Sequence, residues 1–129
     1  IENTAGGKAA VARRFEDFKR LLDALRGSNH NVGVCLDTCH AHAGGEELSN
    51  CAERLMRFSG SIELIHLNDS KDDFDSGRDR HENLGSGRCS LENLLQVVKT
   101  AGTYTIVETP GGVKEQGDDV ALVKREIDS

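Results

Sequence analysis

A chain of 129 residues suffices for one domain. Its composition, 36% hydrophobic and 4% aromatic without tryptophan, gives a thin core but not a disordered segment. The net charge of −6, taken alone, argues against nucleic acid as a partner, although metals bound by the acids would make the local field positive. No apolar run approaches membrane length and no signal-peptide pattern opens the chain. Four cysteines without CxxC spacing fit a reduced, cytoplasmic compartment.

The first residues, "IENTAG", read as the end of a strand already under way, so an N-terminal portion is expected to be missing. A helix is predicted from Lys8 to Arg26, with Phe15, Phe18, Leu22 and Leu25 on one face and Gly27 as its stop. Val32–Asp37 reads as a strand, Glu46–Ser59 as a second helix, and Ile62–Asn68 as the next strand. A polar loop, "DSKDDFDSGRDRHENLGSGRC", leads to Ser90, a good N-cap for a helix over Leu91–Ala101. Tyr104–Glu108 is a strand closed by Pro110-Gly111-Gly112, and a last helix is predicted over Asp119–Ile127. Regular alternation of strand and helix implies parallel strands with helices outside. An open doubly wound sheet and part of a (β/α)8 barrel both satisfy it; a whole barrel needs about 250 residues.

The strand ends carry the chemistry. In order they deliver Glu2, Asp37, His66 and Glu108. One acid at such a position more often caps a helix than binds an ion. Four successive strand ends supplying carboxylate or imidazole match a divalent-metal shell, on the face where parallel βα folds place their sites. His40 lies three residues after Asp37. Asp79 and His81 alternate in an extended segment, so they can hold one ion together. His40, Asp79 and His81 thus form a second donor group. His30 reads as a solvated loop residue, and His42 more often packs than binds. Cys35 and Cys39 read as packing residues. The "GSG" of Gly85–Gly87 is weak evidence for a phosphate cradle.

The motifs "IENTAG", "GVCLDTCHAHAGG", "HLNDSK", "RDRHENLGSG" and "IVETP" resemble those of endonuclease IV, the zinc-dependent apurinic/apyrimidinic endonuclease family, in order and over the whole chain. The resemblance implies an α/β fold, the C-terminal half (about four βα units) of a (β/α)8 TIM barrel, with residues 1–129 as a partial domain. It implies three zinc ions per complete barrel, with Glu2 bridging two. Asp37, His66 and Glu108 would complete one shell, and His40, Asp79 and His81 would hold another ion. The first zinc site is incomplete, because two histidines of the earlier half have no counterpart here. The implied reaction is hydrolysis of the phosphodiester 5′ to an abasic site in double-stranded DNA, leaving a 3′-hydroxyl. Glu2, Asp37, His66 and Glu108 would be catalytic. Arg80, and less strongly Lys71 and Arg78, would meet DNA. Two rivals remain: a xylose-isomerase-like sugar isomerase or epimerase, whose metal set lacks the His40–Asp79–His81 group, and a non-functional barrel fragment. The isolated chain is expected to be inactive and to need the missing half-barrel or to self-associate.

Overall fold

The computed structural model describes residues 1–128. Its elements in order are helix α1 (Phe15–Gly27), strand β1 (Cys35–Asp37), helices α2 (Thr38–Ala43) and α3 (Cys51–Ser59), strands β2 (Leu64–Leu67), β3 (Asp69–Ser70) and β4 (His81–Glu82), helix α4 (Leu91–Ala101), strand β5 (Tyr104–Val107) and helix α5 (Val113–Asp128). β1, β2 and β5 form a parallel sheet in that order. Glu2 extends it by a parallel bridge to Cys35. Four chain segments therefore lie side by side in sequence order, as the alternation predicts.

Strand pleating sorts the side chains. Leu36, Ile65 and Leu67 are fully buried and share a core with Phe18, Leu22, Leu55, Leu94 and Val97. Each such side chain contributes about 1.5–3 kcal/mol when buried. Cys35, Leu64 and Tyr104 are register partners on the opposite face, where Tyr104 and Ile106 are 83% and 50% exposed. Among the described residues, no helix is long and apolar enough to cross a membrane.

Several predicted boundaries move, each for a visible reason. The first helix starts at Phe15, not Lys8, because Arg13 and Arg14 are drawn aside. Arg13 Nη2 reaches Asp75 Oδ1 at 2.8 Å, and Arg14 Nη1 reaches the Gly45 carbonyl at 2.5 Å. Glu46, expected inside the second helix, instead accepts the Phe15 N–H at 2.8 Å and pairs with Arg54 Nη1 at 2.6 Å. That helix therefore starts at Cys51. The first predicted strand shortens to Cys35–Asp37, since the Val34 N–H donates to Glu63 Oε2 at 2.6 Å. β2 and β5 stop before Asn68 and Glu108, whose N–H groups turn to Thr38 Oγ1 and Asn68 Oδ1, both at 2.9 Å.

The last helix begins at Val113 rather than Asp119 and runs through Gly117. Glu115 accepts the Gly112 N–H at 2.8 Å and anchors the earlier start. Ser90 caps α4 as predicted, its Oγ accepting from the Asn93 N–H. The segment read as a long loop contains the antiparallel ribbon β3–β4, with Asp69 opposite Glu82 and Ser70 opposite His81. The exit of β1 is the six-residue helix α2.

Candidate metal centre

The sheet register brings the strand ends together. Asp37 lies opposite His66, and Glu108 follows β5 directly. His66 Nδ1 stands 3.1 Å from Glu2 Oε1, 3.3 Å from Glu108 Oε2 and 3.9 Å from Asp37 Oδ2. Asp37, His66 and Glu108 form one compact donor group.

The second group closes on the other side of Asp37. Its side chain caps α2 by accepting the His40 N–H at 2.9 Å, which presents His40 on the first turn. Asp79 bridges the histidines, with Oδ2 at 3.0 Å from His40 Nε2 and Oδ1 at 3.0 Å from His81 Nε2. Asp37 Oδ2 lies 3.7 Å and 3.9 Å from those same nitrogens. Six of the seven predicted ligands, Glu2, His40, His66, Asp79, His81 and Glu108, thus cluster about the seventh, the buried carboxylate of Asp37.

Two observations test whether this set fits a metal. Donors about 2.0–2.1 Å from a tetrahedral ion stand about 3.3 Å apart, near the separations within each group. His81 Nε2 is buried and makes no hydrogen bond among the described residues, despite its closeness to Asp79. Such an atom is costly unless something else satisfies it. The donors are imidazole nitrogen and carboxylate oxygen, as a hydrolytic zinc site requires. The residues fit.

The tautomers agree. His40 Nδ1 lies 2.8 Å from the Asn3 carbonyl and His81 Nδ1 lies 3.0 Å from the Glu108 carbonyl. Each Nδ1–H donates to a carbonyl, which leaves Nε2 with a lone pair toward Asp79.

Burial is the main force raising the Asp37 carboxyl above its ordinary range, with Glu2 adding to it and His40 and His81 opposing. Burial pulls His40 down, but Asp37, the Asn3 carbonyl, Asp79 and Glu2 together outweigh it, and its value is raised above 6.5. Folded values above the unfolded ones stabilise the metal-free chain at low pH. For His40 that contribution is complete below 6.5 and disappears as pH climbs through the raised value. Metal binding needs the deprotonated forms. The rise in melting temperature on adding zinc should therefore grow between about pH 6 and pH 8. A zinc-induced rise that is flat across that range would exclude proton competition at His40.

Sequence reasoning missed the residues that aim the ligands. Asn3 is buried and clasps β1, its Nδ2 donating to the Asp37 carbonyl at 3.1 Å and its Oδ1 accepting the Asp37 N–H at 2.8 Å. Asn68 does similar work one strand later. Its Nδ2 donates to Asp37 Oδ2 at 3.1 Å and Glu108 Oε2 at 3.4 Å, while its Oδ1 accepts the Glu108 N–H. The available signal was an asparagine one or two residues beyond a strand-end ligand. Asp69 is fully buried and accepts the N–H groups of Ser70, Gly85, Gly87 and Cys89 at 2.7–3.1 Å. The Gly85 and Gly87 amides are thereby used internally, not as a phosphate cradle. A Cβ at Gly87 would collide with the Ser70 carbonyl and with Asp69.

Other candidates lie at the margins. His30 is exposed, as read. His42 packs edge-on against Phe74, and its Nε2 meets the Asp72 carbonyl at 2.9 Å, outside both donor groups. Cys39 is buried, as expected of a packing residue, but Cys35 is only partly so. Arg80 grips Asp72 through Nε at 2.8 Å and Nη2 at 2.6 Å. Lys71 and Arg78 are exposed on the same loop.

A family model described as the xylose isomerase-like TIM barrel matches residues 1–128. The chain belongs to that family. Within it, the chain groups with endonuclease IV. It is 48% identical to a probable endonuclease 4 of Mycobacterium leprae (strain TN), covering 96% of this chain and 48% of the relative. It is 45% identical to a probable endonuclease 4 of Mycobacterium tuberculosis (strain CDC 1551 / Oshkosh), covering 100% of this chain and 50% of the relative. The chain spans about half the length of the curated relatives it matches. The crystal structure of endonuclease IV from Thermus thermophilus superposes with a TM-score of 0.81 at 31% identity, covering 99% of this chain and 49% of that one. The parallel strands and outer helices of this xylose isomerase-like member are thus half of a (β/α)8 TIM barrel.

Proposed function

We propose that the chain supplies the strand-end metal centre of a zinc-dependent apurinic/apyrimidinic endonuclease. Its reaction is hydrolysis of the phosphodiester 5′ to an abasic site in double-stranded DNA, leaving a 3′-hydroxyl, as a step of base-excision repair in the cytoplasm. The observation that carries the reading is the convergence of the other six predicted ligands on Asp37, which groups with His66 and Glu108 on one side and His40 and His81 on the other, with Asp79 at 3.0 Å from both of the latter histidines. A sugar isomerase needs no such second group, and this is what favours the nuclease.

Zinc held here would polarise the phosphate and supply a nucleophilic water near neutral pH. The chain's own residues prepare the site for it. Asp37 stays buried between both donor groups. The Asn3 and Glu108 carbonyls hold His40 and His81 in the ligating tautomer. Asn68 keeps the Asp37 and Glu108 carboxylates turned toward each other. Bound cations would offset the net charge of −6 where DNA approaches.

Arg80, with Lys71 and Arg78, is assigned to the DNA backbone. To reach a phosphate Arg80 must release Asp72, a two-pronged pair in which the arginine is exposed and the carboxylate is not. Arg80→Ala should lower the salt slope of DNA binding by about one phosphate contact while zinc content stays unchanged. Parallel salt titrations of variant and parent would remove Arg80 from the interface.

The direct test is nicking of duplex DNA carrying a single abasic site. The chain is assayed together with the N-terminal half of an endonuclease 4 relative, and the 3′ end is identified chemically. Zinc analysis should give three ions per reconstituted barrel. Alone, the chain should not nick. Its open sheet face, with Tyr104 and Ile106 exposed, should drive self-association. A monomer on sizing chromatography that cuts at about 1 per second or faster would overturn the half-barrel reading.

A further inference from the structure

Glu2, Cys35 and His66 place one ligand atom each within 4.8 Å of one another. Register explains the grouping. Glu2 bridges in parallel to Cys35. Cys35 precedes Asp37 by two residues on β1, so both side chains leave the same face. On β2, Leu64 lies beside Cys35 and His66 beside Asp37. The sulfur therefore sits one side-chain layer beneath the strand-end carboxylates, next to two of their ligands. Cys39, Cys51 and Cys89 are buried, whereas Cys35 is partly exposed.

We propose that Glu2, Cys35 and His66 form an alternative site for a thiophilic divalent cation such as cadmium. Occupying it excludes the Asp37–His66–Glu108 set, because His66 serves both. For zinc, bonds of about 2.3 Å to sulfur and 2.0–2.2 Å to nitrogen or oxygen place such donors about 3.6 Å apart, and a larger cation such as cadmium accepts a wider spacing, nearer the one observed. Closure requires side-chain movement on the order of one ångström, and none of the three side chains is fully buried. Thiolate sulfur selects softer cations than a carboxylate–imidazole set does. As the sulfur–metal bond forms, the Cys35 thiol releases its proton to solvent, and no electron is transferred. The consequence is a centre that a soft cation disables by drawing His66 down into the sheet. The sulfur site rests on side-chain geometry alone, whereas its competition with zinc rests also on the proposed zinc centre, so the band and its zinc dependence report on the two separately.

The test titrates the chain with cadmium chloride and follows ultraviolet sulfur-to-cadmium charge transfer, a band that carboxylate and imidazole ligands do not produce. Circular dichroism checks the fold of each variant. Cys39 also lies near Asp79 and His81, so it provides the control. The expected result is a band in the parent and in Cys39→Ser, its loss in Cys35→Ser, and cadmium affinity in Cys35→Ser weaker by at least about tenfold. Zinc presaturation should suppress the band. Absence of the band from the parent, its survival in Cys35→Ser, or its loss in Cys39→Ser would overturn the proposal. So would indifference to zinc. If Cys35→Ser does not fold, the cadmium NMR shift of Cys39→Ser decides: a sulfur-ligated shift supports Cys35, and an all nitrogen–oxygen shift excludes it.

Discussion

His66→Ala should release most of the metal and abolish nicking by the reconstituted barrel, and Glu108→Ala should do the same. His66 Nδ1 lies within 3.3 Å of both Glu2 and Glu108, so its removal takes the common neighbour from two carboxylates. Those acids then repel each other beside a buried Asp37 that already disfavours charge. Changing even an outer partner of a ligand typically costs 10–100-fold in metal affinity or activity, and losing a direct ligand should cost more. Zinc analysis beside the nicking assay decides. Full zinc content with normal nicking would take both residues out of the centre.

Asp69→Ala should unfold the segment that carries Asp79 and His81 without touching either. Four backbone N–H groups converge on this buried carboxylate. The Ser70 and Cys89 N–H groups belong to buried residues, and each donor left buried and unsatisfied costs about 1–3 kcal/mol, so a loss of about 3–5 kcal/mol is expected, comparable to breaking a buried charged network. Asp69→Asn keeps one acceptor oxygen and should fall between the two. Denaturant melts give the stability change, and protease digestion locates the loosened segment. A melt within about 0.5 kcal/mol of the parent, as for an ordinary surface change, would show that the loop holds itself.

The clustering of the candidate ligands was legible in the sequence because they obey local rules. Asp37 ends one short apolar strand and His66 lies near the end of the next, and Asp79 and His81 sit two apart. The parallel order was legible from the alternation of strand and helix. What escaped were bonds between residues far apart in the chain. Glu46 lies next to the helix it was assigned to, yet it caps α1, 31 residues away. Arg13 and Arg14 look like helix formers until their partners at Asp75 and Gly45 are known. The β3–β4 ribbon pairs two residues with two, too short for any alternation to register. Asn3 and Asn68 are ordinary turn formers by composition, and only their partners on the next strand give them a role.

Those two asparagines also govern assembly. Parallel strands slide past one another in steps of one residue, and a single step turns every side chain to the other face. Asn3 can meet the main chain of Asp37, and Asn68 that of Glu108, only when each pair of strands is aligned as observed. A slipped sheet would lose both clasps and point Asp37 into the helices. Metal uptake at the proposed centre would therefore act as a proofreading step: a cation would recognise strands that have already stopped in the right place, and a misaligned chain would have nothing to offer it.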